Sequence, residues 1–566
     1  MRRENLFEYD ANGNCIRKTD ALGVSRVSAY DAMGNATKMT ACAGTEMEAV
    51  STYAYDAIGR MIRAVDAENG ESSSTYDRVG NITSVTDPNG GTTTYRYDTM
   101  GRMTESVNAA GSRKTYTYNA AGLLAEAENA RNQTTAYQYD ALGRITARTD
   151  ELGTISYTYD GNGNVLTVTD GSGTITREYD AKNRVTKYTD ARGNTVRYGY
   201  DSLGNLMTLT YPGGEILRYA YYPTGRLQTV TDWKDRVITY AYDGNGRLTT
   251  LSRPDGSVET YEYDANGQLA RQTDLNGDRV VNSFTYGYDT AGNITSIESE
   301  NVAGEQTSVS NVTMKYDAAN RLITYNGKTV TYDADGNMTY GPLNGELASF
   351  TYDCRNRLVS AGDTSYEYDA ENNRIGVTTG TTKTSYVVEN NSGALSRILS
   401  ATERSSTEEQ PADTTLYIYG NGLLAQEKET GEYLLYHFNN IGSTSAVTDM
   451  DGTIVHAYAY GTYGELLSGN REGIRFLYNG RYGVVTDENG LYYMRARYYN
   501  VDIKRFINQD VLEGSIATSP SLNRYAYCQG NPVKVTLVSG GRGSFLSACQ
   551  LCFGDPRLGG CGRSRG

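Results

Sequence analysis

The dipeptide Tyr-Asp recurs along this chain at a nearly constant interval, and that interval constrains the fold more than any other feature. It stands at Tyr9-Asp10, Tyr30-Asp31, Tyr55-Asp56, Tyr76-Asp77 and Tyr97-Asp98 and continues to Tyr368-Asp369, usually 20 or 21 residues apart. Degenerate copies at Tyr118-Asn119 and Tyr222-Pro223 fill two apparent gaps, so the period runs to about residue 380. A fixed period of this kind marks a repeat architecture.

A single unit explains the interval. In Thr92 to Val107, Thr93, Tyr95 and Tyr97 share one face of a strand, Asp98 to Gly101 supplies a turn, and Met103, Glu105 and Val107 alternate on the return. The Asp opening the turn can accept the N–H two residues on, and the Gly at its fourth position can take positive φ, as a type I turn with a bulge requires. A second signal, Thr-Asp-x-x-Gly, closes each repeat, as at Thr86 to Gly90. The spacing therefore predicts an all-β chain of about eighteen hairpins. With strands about 4.8 Å apart these would make a ribbon roughly 170 Å long and about 20 Å wide, which twist would coil into a spiral whose turns cover each other's edges. Turn chemistry and cross-strand stacking account for the Tyr-Asp pairs, and none of these carboxylates is read as catalytic.

Composition shapes the expected interior. Tyr occurs 50 times against 8 Phe and 1 Trp, Gly 62 times against 9 Pro, and apolar residues make up 38 %. Most aromatic area thus carries a hydroxyl that needs a partner, which predicts half-wet sheet surfaces and no conventional dry core. A net charge of −14 repels nucleic acid and anionic lipid, so neither is an expected partner. No membrane span or leader is visible, and the chain opens inside a repeat, which suggests a fragment. The 7 Cys are scattered, so no disulfide framework is legible.

The string Tyr-Asp-Ala-x-Gly-Arg, with the later segment Tyr478 to Tyr482, Gly490 to Tyr499 and Arg505 to Asp510, resembles the bacterial Rhs family and its repeat-associated core. Similarity to that family, to the C components of insecticidal toxin complexes and to the Tyr-Asp shell of teneurins implies a hollow β-cocoon, here a partial one. In bacterial members the resemblance further implies a C-terminal toxin domain held in cis, absent from this chain, with an N-terminal plug or secretion components as other partners. It also implies a secreted or cell-surface location. The expected organisation is repeats over 1–380, a variable connection over 381–430, the core over 431–540 and an atypical, disordered Gly/Arg/Cys tail over 541–566.

Members that cleave themselves place one Asp after the core's Arg-Phe and a second in a downstream Asp-Pro element. Paired carboxylates suit that chemistry, because like charges raise one pKa and leave one group as acid while the other activates water. Asp510 matches the first Asp, and Arg505 is expected to steady its charge. Leu537 and Val538 stand where Asp-Pro belongs, so cleavage is expected to be impaired and the chain is not expected to be an enzyme. The core's His-x-Asp-x-x-Gly-Ser element begins at His437, with Asn439 replacing Asp. For His437 and His456, the only histidines, a strand-surface or packing role is expected. The Cys549-Gln-Leu-Cys552 pair lacks the second pair a zinc site wants, so no metal and no cofactor is expected. The alternative function is a cell-surface protein that recognises carbohydrate on its Tyr-rich sheets.

Overall fold

The computed structural model describes residues 5–301, 311–390, 395–405 and 412–533, and the short strands Val535–Thr536 and Leu546–Ser547. Among these residues the only helices are three 3-10 turns, and the rest of the regular structure is antiparallel strand. The repeats from Leu6–Tyr9 to Ile294–Asn301 form one 28-stranded sheet in which each strand pairs with the next in sequence. A second, 13-stranded meander runs from Thr331–Tyr332 to Ile454–Ala457, passing residues 380 and 430 without a break. A four-stranded sheet, Val485–Thr486 to Arg505–Phe506, forms the heart of the core segment.

Each turn follows from its residues. Asp56 Oδ1 accepts the N–H groups of Ile58 at 3.1 Å and Arg60 at 3.0 Å, while Oδ2 accepts Arg60 Nε at 2.6 Å. Gly59 sits at φ 83°, a conformation that costs a side-chain-bearing residue far more. The register shifts between Ala54 and Tyr55, which is the bulge. In the Thr92–Val107 hairpin the same shift sets Ser106 opposite Tyr95 on one face and Glu105 opposite Arg96 on the other.

Where Arg follows the turn, as at Arg60, Arg144 and Arg184, it binds one hairpin to the next, a role the sequence reading missed. The Arg60 guanidinium lies 4.6 Å from the centre of the Tyr76 ring and donates to the Asp77 carbonyl at 3.0 Å. The Tyr76 hydroxyl reaches back to the Met61 carbonyl at 2.8 Å. Arg144 with Tyr159 and Arg184 with Tyr200 repeat the arrangement. The Tyr hydroxyl is thus satisfied by the neighbouring hairpin's backbone, not by water.

The coil makes one sheet seat on the other. Thr-Asp turns of the first meet Tyr-Asp turns further along the chain, as in Asp87 with Asn320, in a separate three-stranded sheet from Met314–Tyr316 to Lys328–Thr329, at 2.8 Å, and Asp150 with Arg355, in the second sheet, at 2.7 Å. Further along, the second sheet turns inward and lies on the first sheet's core-facing side, where the Tyr219 hydroxyl donates to the Tyr419 carbonyl at 3.1 Å. That side changes character along the sheet: Ala64, Ser72, Ser74 and Ser106 early, then Ile155, Val168, Leu209, Leu217 and Val230. The aliphatic stretch joins residues up to Ile507 in one buried cluster. The expectation of an interior without a conventional dry core is corrected here. Tyrosines such as Tyr211 and Tyr219 act as apolar rings because their hydroxyls find carbonyls on the facing sheet.

Candidate functional site around Asp510

The core segment positions Asp510. Strands Leu491–Met494 and Arg497–Asn500 form a tight hairpin turned at Arg495, whose φ is 60°. Tyr478, Tyr492, Tyr499, Phe506 and Tyr527 pack behind it as a buried aromatic cluster, with Tyr499 and Tyr527 ring centres 4.6 Å apart. This cluster anchors both Arg497 and the Arg505–Phe506 strand.

Asp510 Oδ2 pairs with Arg497 Nη2 at 2.7 Å, and Oδ1 accepts the Leu512 N–H at 3.0 Å. The Arg497 guanidinium lies 3.6 Å from the centre of the Phe506 ring and also donates to the Arg524 carbonyl at 2.9 Å. Burial pushes Arg497 down to about 10, with the Asp510 carboxylate acting in the opposite sense. Arg524 clamps the Asp510 carbonyl from the other side, through Nε at 2.7 Å.

Arg505 is not where sequence reasoning put it. It donates to the Asn320 carbonyl at 2.7 Å and covers the Tyr316 ring at 4.3 Å, fastening the core to the second turn of the coil. Strand alternation explains the correction: Arg497 and Asp510 reach the Phe506 side, while Arg505 points to the opposite face. Asp510's partners are a guanidinium and an amide N–H, neither of which can share a proton as a second carboxyl would. Leu537, Val538 and the tail cysteines lie outside the described residues.

The histidines differ in setting. His437 is fully buried, with Nδ1 2.5 Å from Asp274 Oδ2 and Nε2 2.9 Å from Thr448 Oγ1, which itself donates to Asp255 at 2.7 Å. Arg253 completes this network through Asp274 at 3.0 Å and Glu259 at 2.6 Å, joining the two sheets. Asn439 does the turn work of the Asp it replaces, accepting the Ser443 N–H at 2.9 Å. His456 is stacked beside Tyr458, and burial lowers its pKa. Among the described residues no group of three or more His, Cys, Asp or Glu is placed to hold a metal, and no helix is long and apolar enough to cross a membrane.

Another buried ion pair escaped sequence reasoning because its partners lie 113 residues apart. Arg374, in the repeat meander, bonds Asp487 of the core at 2.6 Å, and the side chains are 0 % and 3 % exposed. Tyr493, Tyr366, Tyr386 and Tyr498 surround the guanidinium, with ring centres 4.1, 5.5, 5.6 and 5.8 Å away.

A coiled meander of Tyr-Asp hairpins, pinned by a Tyr-rich core segment, defines a YD-repeat shell protein. The family pattern described as Teneurin YD-shell matches residues 6–156, 129–260 and 255–533, and the chain belongs to that family. Among curated proteins it is similar to the tRNA3(Ser)-specific nuclease WapA of Bacillus spizizenii, 28 % identical over 276 residues that cover 46 % of this chain and 11 % of that protein. It is also similar to the double-stranded DNA deaminase toxin A of Burkholderia cenocepacia, 32 % identical over 114 residues, 19 % of this chain and 7 % of that one. The fold matches the TcdB2-TccC3-Cdc42 structure with a TM-score of 0.74 at 17 % identity, covering 95 % of this chain and 34 % of the other. The Photorhabdus luminescens Tc holotoxin pore gives 0.73 at 17 % identity, covering 95 % and 33 %. The chain therefore spans about a tenth of the length of these curated relatives and a third of the solved chains.

Proposed function

We propose that the chain forms part of a shell that encloses a C-terminal toxin domain in cis and serves its delivery. The observation that carries this reading is the path of the core segment. After Asp510 the polypeptide turns back onto the wall, where the Tyr95 hydroxyl donates to Glu513 at 2.7 Å and the Tyr525 hydroxyl to the Gly336 carbonyl at 2.8 Å. Tyr95 stands on the core-facing side of the first sheet, so a passenger following the core would start from the enclosed side. The nuclease and deaminase toxin names of the curated relatives support the same assignment. A secreted or cell-surface location and secretion-system partners belong to this proposal.

In this reading the chain is a container and not an enzyme on external substrates. Asp510 serves the core as an ion-paired turn residue, and self-cleavage is impaired. The test is protease protection. A flexible reporter peptide fused after residue 566 should be digested more slowly than the same reporter fused ahead of residue 1. Equal digestion at both ends of a folded chain would sink the proposal.

A further inference from the structure

A cavity of about 510 Å³ lies between the second sheet and the core segment, and Asp510 is not part of its lining. Four neighbouring strands supply its floor: Val377 stands opposite Thr384, Thr384 opposite Glu403, and Glu403 opposite Asp413. Residues 471–475 and 486–488 of the core form its roof.

The roof is held at fixed points. Gln426 Nε2 donates to the Gly473 carbonyl at 3.3 Å, the Thr486 N–H donates to the Arg475 carbonyl at 2.8 Å, and Phe476 meets the Tyr417 ring edge-on at 4.8 Å. Arg374 holds Asp487 at 2.6 Å. Thr379, Thr382, Thr384 and Thr415 are too short to fill the space between floor and roof, so the cavity is built into the fold.

Two carboxylates set directly opposite on neighbouring strands repel each other. Arg475 reaches from the roof to pair with Glu403, which leaves Asp413 unanswered. Asp487 is neutralised by Arg374, and Lys428 turns to Glu432 at 2.7 Å. Among the described residues Asp413, Glu472 and Glu488 have no cationic partner, and of the lining cations only Arg471 has no carboxylate, so negative charge is in excess. Thr486 is 9 % exposed, and its Oγ1 has no hydrogen-bond partner. An unsatisfied buried hydroxyl beside a cavity marks where a ligand N–H finds an acceptor.

We infer that this cavity binds a linear aliphatic polyamine. Its ammonium groups meet Asp413 on the floor and Glu488 on the roof, Thr486 Oγ1 is a further acceptor, and Val377 and Ile474 flank the methylenes. The unanswered carboxylates are spread over two walls, and no group of three or more His, Cys, Asp or Glu among the described residues is placed to hold a metal, which favours a chain over a point charge. A bound chain joins wall to core and so stabilises the folded state. The inference holds with or without a passenger.

Isothermal titration of the full chain with spermidine should give one saturable site and raise the melting temperature. Asp413→Asn with Glu488→Gln should weaken binding about tenfold or more, as loss of charge-assisted hydrogen bonds does, and both positions are exposed, so the variant should fold. Thr415→Lys, which sets an ammonium on the floor, should give the same loss by a second route. Because the chain carries a net charge of −14, diffuse attraction is the competing account. Glu126→Gln with Glu178→Gln removes the same charge from exposed positions of the first sheet and should leave binding unchanged. Equal affinity in the two double variants, unaltered binding by Thr415→Lys, or no saturable site at all overturns the inference. Displacement of spermidine by equimolar magnesium does so too, since a point charge would then serve as well as a chain.

Discussion

Replacing Arg374 by Met strands the Asp487 carboxylate in a site where the pair is almost wholly shielded from solvent. Burial opposes a charged guanidinium there, and Asp487 is what holds it charged. Removing one partner of such a pair costs about 3–5 kcal/mol, because the survivor keeps its desolvation penalty and loses its compensation. The four surrounding Tyr rings add cation–π terms of about 0.5–1 kcal/mol each, which Met forgoes and Lys only partly regains. Asp487→Asn should cost a similar amount for the opposite reason. The double variant, Arg374→Met with Asp487→Asn, should lose about 2–4 kcal/mol less than the two single losses added together. Urea unfolding followed by the fluorescence of Trp233 reads this directly, since Trp233 is the only tryptophan and its Nε1 bonds Glu427 across the two sheets at 2.8 Å. Additive losses within about 0.5 kcal/mol would refute the coupling and with it the view that this pair clamps core to wall.

Burial lifts the Asp369 carboxyl to about 6, against the Asn373 hydrogen bonds that favour its ionised form. The folded state then holds a proton that the unfolded state releases near pH 4, so stability falls as pH rises from about 4 to 6 and stays lower above; Asp369→Asn should raise the urea midpoint at pH 8 by up to about 3 kcal/mol equivalent and leave pH 4 unchanged. Glu427 behaves oppositely: against burial, hydrogen bonds from Arg236 and Lys234 hold its carboxyl below the usual range. Its contribution is present above about pH 4.3 and lost on further acidification, so Trp233 emission should shift to the red below that value, and Glu427→Gln should produce the shift at pH 7. Intact mass after incubation of the folded chain from pH 4 to 8 should show a single species, and a discrete cut near residue 540 would contradict the impaired-cleavage proposal. Arg497→Met should destabilise the core more than Arg505→Met lowers it, as judged by hydrogen exchange of the Leu491–Asn500 hairpin, because only Arg497 neutralises Asp510.

The hairpins were legible because everything that makes them is local. Asp, Gly and the bulge lie within five residues, and strand alternation follows from the turn. Asp510 was legible through the core segment it closes, and Asn439 through its place in a turn. Arg497 was not, because its pairing depends on which side of a short strand faces Phe506. The same limit applies to His437, whose partners Asp274, Asp255 and Thr448 meet only when the second sheet lies on the first.

Sequence by itself determined that this chain is a meander of β-hairpins, since each unit contains its own turn chemistry and repeats at fixed spacing. Tertiary structure alone decided which rims meet, which face is dry and which charges are buried together. Those outcomes depend on the pitch of the coil, which sums small twists over many strands and is written in no single repeat.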